Sequence, residues 1–370
     1  MANLDSELFV IVFGIVVWVL EFAWDNQYWF HLATLGVPAG GSILLAVASV
    51  LQLRPDDRVT LSHGVFLSTL GVMFYLSLYW LVQGAVTATP LGRRLVVNYS
   101  LTRADVTEIS HKVVSCIEGL LSCLAGAIVV LYSCSRDPLR ASHFVSEAYA
   151  WFSISYFFCD LWMQYKVFSE DKIEEALLTR NLMHLADPLT PRAYIRGPPF
   201  LYYCRADPLT VIHHLVLGSF VSRMIVYLRG SHGDCLFGFL YLMELSTPFV
   251  SLRGIYRRLR MRYSRAYLAN VLAMMVTFFI CRVVSLPYVC LVYYNVIHMP
   301  YFKGVQSLPN DCKLVVTLML VPQLVWFYKM VRGYLRLSRE AEARRGQLAA
   351  LETKVCRHQP IAVHCQTKGV

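Results

Sequence analysis

Long apolar stretches recur along the chain, and most of them are about twenty residues long. A helix needs roughly 20 residues to cross the ~30 Å hydrocarbon core of a bilayer, because each residue adds about 1.5 Å. The stretches between them hold charged residues, Pro and Gly, which are typical of loops. The pattern therefore predicts nine membrane-spanning helices, at about residues 8–24, 35–53, 64–88, 112–134, 146–168, 209–228, 235–256, 266–288 and 314–335.

The composition of the 370-residue chain supports this prediction. Hydrophobic residues make up 56% of the chain and charged residues 16%, and the mean hydropathy is +0.49. A soluble domain carries about 25% charged residues. The net charge of +10 does not indicate nucleic-acid binding, because the Lys and Arg residues lie mainly between the apolar stretches. We predict an all-α multi-pass membrane protein.

The eleven Cys residues lie mostly within apolar stretches, and no two of them form a Cys-x-x-Cys motif. A buried Cys behaves as a small apolar side chain. We therefore expect neither a disulfide framework nor a zinc site, and we expect no bound cofactor.

The connecting segments alternate in basic charge. Arg and Lys concentrate at residues 89–111, 169–208, 257–265 and 336–345, which all lie on one side of the membrane if there are nine spans. Basic loops usually face the cytosol, so we expect a cytosolic C-terminus, an N-terminus on the opposite side and no glycan on Asn98. The 169–208 connection is predicted to begin with an amphipathic surface helix through Leu178, Leu182 and Leu185.

Three predicted spans carry acidic residues, although an ionisable group inside a membrane is costly. Each acid, Glu118, Asp160 or Glu244, lies on a stripe of polar side chains along its helix. Lipid cannot face such stripes, so they must face one another or a cavity. Two interpretations stay open: polar contacts that only hold helices together, or a chamber that receives a lipid head group. Arg282 lies at a depth similar to that of Glu244, and an ion pair would account for both.

An adjacent pair, His213 and His214, lies about one turn inside the sixth predicted span. Asp207 and Pro208 precede the pair and match the N-cap and first residue of a helix. Adjacent helical side chains point about 100° apart, so the pair does not suit one metal ion, and we expect none. The pair can act as a hydrogen-bonding element or supply a general base near neutral pH.

Four sequence stretches read WFSISYFFCDLWMQYK, ADPLTVIHHLVLG, YLMELSTPFVSLRGIY and FFICRVVSLP. They resemble a known family, the TLC domain shared by ceramide synthases, translocon-associated proteins and several lipid-homeostasis proteins. The last three, in that order, most resemble the fourth and fifth subgroups of small TLC-domain-containing proteins. The resemblance implies a six-helix bundle around a lipid chamber that opens toward the cytosol. On this basis we expect a TLC domain at 106–337 with an insertion at 169–208, about three spans within 1–105, and a charged cytosolic tail at 338–370.

The resemblance also bears on activity. Ceramide synthases follow their His pair with a His-Asp element on the next helix, and this chain has Met243 and Glu244 there instead. We therefore favour a lipid-handling protein that acts in lipid homeostasis without a recognised catalytic motif. The alternative is an acyl-CoA-dependent N-acyltransferase of the ceramide-synthase type. We expect a membrane lipid as partner, and the endoplasmic reticulum as location with the plasma membrane as alternative. The candidate lipid-cavity residues are His213, His214, Glu244, Asp160, Glu118 and Arg282.

Overall fold

A computed structural model describes residues 27–189, 196–228, 232–308 and 310–358. The first predicted span, at 8–24, lies outside these ranges. The described part of the chain is helical and contains no β-strand. In chain order the helices are α1 (Gln27–Val50), α2 (Leu61–Ala88), α3 (Pro90–Tyr99), α4 (Arg103–Ser133), α5 (Phe144–Thr179), α6 (Phe200–Ala206), α7 (Pro208–Tyr227), α8 (Asp234–Arg258), α9 (Arg265–Val296), α10 (Tyr301–Ser307) and α11 (Asn310–His358).

Six of these helices are long and apolar enough to cross a membrane: α1, α2, α4, α7, α8 and α9. The predicted fifth span lies in α5, whose apolarity is reduced by Ser, Tyr and acidic residues. The predicted ninth span lies in the 49-residue α11. The chain is thus an all-α multi-pass membrane protein, as the apolar pattern predicted.

The second half of α5 corrects one prediction. The expected surface helix at the start of the 169–208 connection is the end of α5, which continues without a break to Thr179. Thr102, the residue that caps α4, donates a hydrogen bond of 2.6 Å to Glu174 on this extension. The contact holds the extension against the start of α4. Of the three Leu residues in the predicted surface helix, only Leu178 lies in α5, because Leu182 and Leu185 follow the end of the helix at Thr179.

Helix α4 is the centre of the bundle and packs against α2, α5 and α8. Gly126 allows the closest approach to α8, because a Cβ atom there would lie 2.8 Å from the carbonyl oxygen of Gly238. Gly119 is similarly close to Thr247 and Pro248. Small residues of this kind let membrane helices meet closely, and here they bring the Glu118 and Glu244 stripes face to face.

Two helices depart from α geometry just before a proline. In α8, residues Met243–Ser246 form a 3-10 turn before Pro248, and in α9, residues Phe279–Val284 form a π-helical segment before Pro287. Proline lacks the N–H that the carbonyl four residues earlier requires, and this accounts for the local irregularity at both positions. Both irregular segments carry a charged residue of the candidate site.

A disulfide joins Cys134, at the end of α4, to Cys235, at the start of α8. The interpretation of the Cys residues as small apolar side chains is therefore wrong for this pair, although one bond is not a disulfide framework. The two residues are 101 positions apart in sequence, so nothing in their local spacing reveals the bond. The same end of the bundle is held by Asp234, which accepts a hydrogen bond of 2.5 Å from the His143 backbone N–H.

At the opposite end of the bundle, ion pairs join the start of α4 to the ends of α5 and α8. Arg258 contacts Asp105, Glu108 and Asp171. Arg257 pairs with Glu108 and Arg260 with Asp105. Asp105 and Glu108 are buried, and a buried carboxylate needs such partners. Asp105, Glu108 and Asp171 are thus bound to Arg257, Arg258 and Arg260.

Candidate functional site

A cavity of about 470 Å³ lies between α4, α5, α7, α8, α9 and α11. Its volume is within the range of roughly 300–1,000 Å³ that is usual for small-molecule sites. One part of the wall is apolar and includes Leu217, Val221, Ile225, Phe278 and Met319. All six residues selected from the sequence line this cavity: His213, His214, Glu244, Asp160, Glu118 and Arg282.

Asp160 on α5 is the centre of the polar wall and is only 2% exposed. Its Oδ1 lies 2.7 Å from Nε2 of His111 on α4, and its Oδ2 lies 2.7 Å from Nε2 of His214 on α7. The Gln164 amide also donates to Oδ2 at 2.5 Å. One carboxylate therefore connects three helices. A buried acid satisfied in this way does not need water.

The contacts of His214 determine how many protons this group holds. Its Nδ1 lies 2.9 Å from the carbonyl oxygen of Thr210, which can only accept, so Nδ1 carries a proton. Its Nε2 faces a carboxylate oxygen, and that contact requires a proton on either the ring or the acid. Asp160 and His214 thus share one proton and form a pair with no net charge. Such a pair can give up or accept a proton at the cavity wall.

His213 has a different environment. Its ring meets the ring of Trp326 on α11 edge to face, with centroids 5.0 Å apart. Within the described ranges neither ring nitrogen makes a hydrogen bond, so both stay available to a ligand. The predicted start of the helix is confirmed, since Pro208 is its first residue and the Asp207 side chain accepts from the Thr210 backbone N–H.

Glu244 and Arg282 form the expected ion pair, with 2.7 Å between Glu244 Oε2 and Arg282 Nη2. The guanidinium also donates to the Met243 carbonyl at 3.0 Å and to the Ser246 hydroxyl at 2.8 Å. Thr247 bonds to both members of the pair. The 3-10 turn before Pro248 exposes these backbone and side-chain acceptors, so the irregular geometry creates the binding site for Arg282.

Glu118 on α4 accepts a hydrogen bond of 2.6 Å from the Tyr149 hydroxyl of α5. The Tyr149 ring in turn meets the Tyr241 ring of α8 edge to face, with centroids 5.0 Å apart. All three acids therefore have partners and face the same interior. Their inward placement follows from the helical periodicity of the stripes.

The sequence profile of the TLC domain matches residues 108–332, which is well over half of the chain. The chain belongs to the TLC-domain family. The match begins within α4 and ends within α11, so it includes every candidate residue of the cavity. No solved structure matches the chain. The closer resemblance to particular subgroups of the TLC family stays a prediction.

Several residues of the TLC-domain cavity were not among the sequence-selected candidates. His111 lies on the polar stripe of Glu118, and its position on that stripe does not distinguish it from the other polar residues there. Lys112, Arg253 and Lys329 lie between charged loops and spans, where basic residues are common, so no periodic signal distinguishes them. In α11, Gln323 and Trp326 face the cavity. In the part of the chain that the structure describes, His, Cys, Asp and Glu side chains form no group of three that could hold a metal ion.

Proposed function

We propose that this TLC-domain protein binds a membrane lipid in the cavity and thereby acts in lipid homeostasis. The observation that carries the proposal is the cavity itself, in which a polar wall faces an apolar wall at the depth of the membrane-spanning helices. A lipid has the same two parts, a polar head and apolar chains. Chains would lie along Val221, Ile225 and Met319, where burial of apolar surface is favourable.

The polar wall supports binding through neutral hydrogen-bonding groups. His213 has free ring nitrogens, and the Asp160–His214 pair has no net charge. His213 can therefore bond a head group or an acyl carbonyl, and neither group leaves an isolated charge in the membrane. Arg282 and Glu244 already satisfy each other, and they support the wall rather than attract a charged ligand.

The orientation we propose places the basic loops and the C-terminus in the cytosol, in the endoplasmic reticulum membrane. The disulfide supports this orientation, because disulfides persist in oxidising compartments. Cys134 follows Lys112 on α4 by about 22 residues, or roughly 33 Å, which is about the thickness of a bilayer core. The disulfide and the basic end therefore lie on opposite faces of the membrane.

The test is mass spectrometry of lipids that remain with the protein after purification in maltoside detergent. We expect one lipid class to be enriched over the total membrane extract. The His213→Ala variant, which leaves Asp160 and its partners untouched, should lose most of this lipid. The matched control is His184→Ala, because His184 is exposed and outside the cavity. Wild-type protein that holds no enriched lipid would contradict the proposal.

A second candidate function is N-acyl transfer from acyl-CoA. It is supported by the His111–Asp160–His214 contacts, which supply a His and an Asp from other helices although the His-Asp element is missing from α8. In such a reaction the thioester C–S bond breaks, an amide C–N bond forms, and a base takes the amine proton while the CoA thiol leaves. Incubation with acyl-CoA and a sphingoid base separates the two functions. The lipid-handling proposal expects no amide product, whereas product that disappears in Asp160→Asn would favour acyl transfer.

A further inference from the structure

Three cationic side chains line the basic end of the cavity: Lys112 of α4, Arg253 of α8 and Lys329 of α11. In the ranges that the structure describes, none of the three makes a hydrogen bond or an ion pair. Lys112 and Arg253 are half-buried, whereas Lys329 is exposed. The stem of Lys112 lies against Gly254, where an added Cβ would be 3.2 Å from it, so its position is fixed by packing.

Within the described ranges, the acids near this end form no ion pair with the three cations. Asp105, Glu108 and Asp171 are bound to Arg257, Arg258 and Arg260, as described above, and Asp160 is held by its two His partners. A half-buried cation without a partner is unfavourable. The local charge is therefore complementary to an anion that comes from outside the chain.

A second observation comes from Gln323, which lines the same cavity six residues before Lys329 on α11. Gln323 is 1% exposed, and its Oε1 has no hydrogen-bond partner. Lys329 follows Gln323 by less than two turns, or roughly 9 Å along the helix. A buried amide oxygen without a donor is unfavourable, so a ligand that supplies an O–H or N–H group here would be stabilised.

We infer that the cavity takes a phosphate-bearing acyl compound, with its phosphate at Lys112, Arg253 and Lys329 and a hydroxyl or amide N–H at Gln323. This inference rests on the proposed function and names the chemical class of the ligand. Phosphate carries one or two negative charges and several strong acceptor oxygens, and Lys and Arg are the side chains that bind it. A phospholipid and an acyl-CoA both have this chemistry, and they differ in whether the phosphate is attached to a membrane-resident molecule.

The experiment measures binding to purified protein in maltoside micelles, which contain no phosphate. The probes are ceramide phosphate and ceramide with the same chains, palmitoyl-CoA, CoA alone and inorganic phosphate. We expect ceramide phosphate to bind at least about tenfold more tightly than ceramide, because hydrogen bonds to charged groups contribute about 1.5–3 kcal/mol. The preference should decrease as salt is added, since salt screens charges at the cavity mouth.

Variants show whether the three cations are responsible. Each of Lys112→Gln, Arg253→Gln and Lys329→Gln should weaken binding of ceramide phosphate about tenfold and leave ceramide binding unchanged, while Lys112→Arg retains the preference. The Gln323→Leu variant should weaken both ligands equally, because both carry the amide N–H. The matched control is Lys172→Gln, which removes a Lys at the same end that is exposed and already paired with Glu175.

The outcomes distinguish this inference from the function on which it rests. Equal affinity for ceramide phosphate and ceramide would overturn the phosphate site and leave lipid binding intact. If no lipid binds at all, both fail. Tight binding of palmitoyl-CoA alone would support the phosphate site and identify the acyl-CoA as its source. Competition by inorganic phosphate as strong as that of ceramide phosphate would overturn the assignment to an acyl compound.

Discussion

Replacement of Asp160 tests the centre of the site most strictly, because Ala and Asn should have different effects. Ala removes every acceptor for His111, His214 and Gln164. Loss of one partner from a buried ionic group costs about 3–5 kcal/mol. Asn retains the shape: its oxygen can accept from His111, and its N–H can donate to Nε2 of a neutral His214. Only the Gln164 amide loses its acceptor, at a cost of about 1–3 kcal/mol.

Thermal unfolding in detergent measures the difference. For a domain of this size, each kcal/mol lowers Tm by roughly 2–4 °C. Asp160→Ala should therefore lower Tm by roughly 6–20 °C, and Asp160→Asn by a smaller amount. The control on the same helix is Glu175→Ala, which removes an exposed ion pair worth about 0–1 kcal/mol.

Either of two results would contradict a stabilising role for the Asp160 carboxylate. Asp160→Ala could unfold at the wild-type temperature, which would mean that the three hydrogen bonds contribute nothing. Alternatively, Asp160→Asn could lower Tm as much as Asp160→Ala, which would mean that a neutral side chain of the same shape cannot replace the carboxylate.

Three further predictions concern the bundle. Gly126→Ala should lower the free energy of unfolding by about 1–3 kcal/mol, because its Cβ overlaps the Gly238 carbonyl. Gly333→Ala, with open space around it, should not lower it, and thermal unfolding checks both variants. Cys134→Ser should lower the free energy of unfolding by about 2–5 kcal/mol. The gel mobility of wild-type protein should change when a reductant breaks the bond, and that of the variant should not. Arg282→Ala should cost about 3–5 kcal/mol by leaving Glu244 unpaired, and Arg282→Met with Glu244→Gln should recover most of it; equal losses in the single and double variants would contradict the buried ion pair.

The helices and the inward face of each could be predicted because both depend on local periodicity. Glu118, Asp160 and Glu244 lie on polar stripes that lipid cannot solvate, so their direction follows from the spacing alone. Pro248 and Pro287 mark irregular backbone for an equally local reason, the missing N–H. Arg282 and Glu244 could be paired because consecutive helices placed them at similar depth.

The other groups that meet across the bundle could not be predicted. His111, Asp160 and His214 come from three helices, and their contact depends on how α4, α5 and α7 pack. The Cys134–Cys235 bond is a tertiary contact of the same kind, and the free oxygen of Gln323 becomes visible only when its neighbours are known.

The central claim is that a lipid occupies the cavity, and photo-crosslinking tests it most directly. Protein in nanodiscs is irradiated with ceramide phosphate that carries a diazirine in its acyl chain, and the labelled peptides are identified by mass spectrometry. The account predicts labels at Val221, Ile225 and Met319 that decrease in His213→Ala. Labels confined to Leu120, Leu124 and Leu131, which are exposed on the outer surface of α4, with no label in the cavity would contradict it.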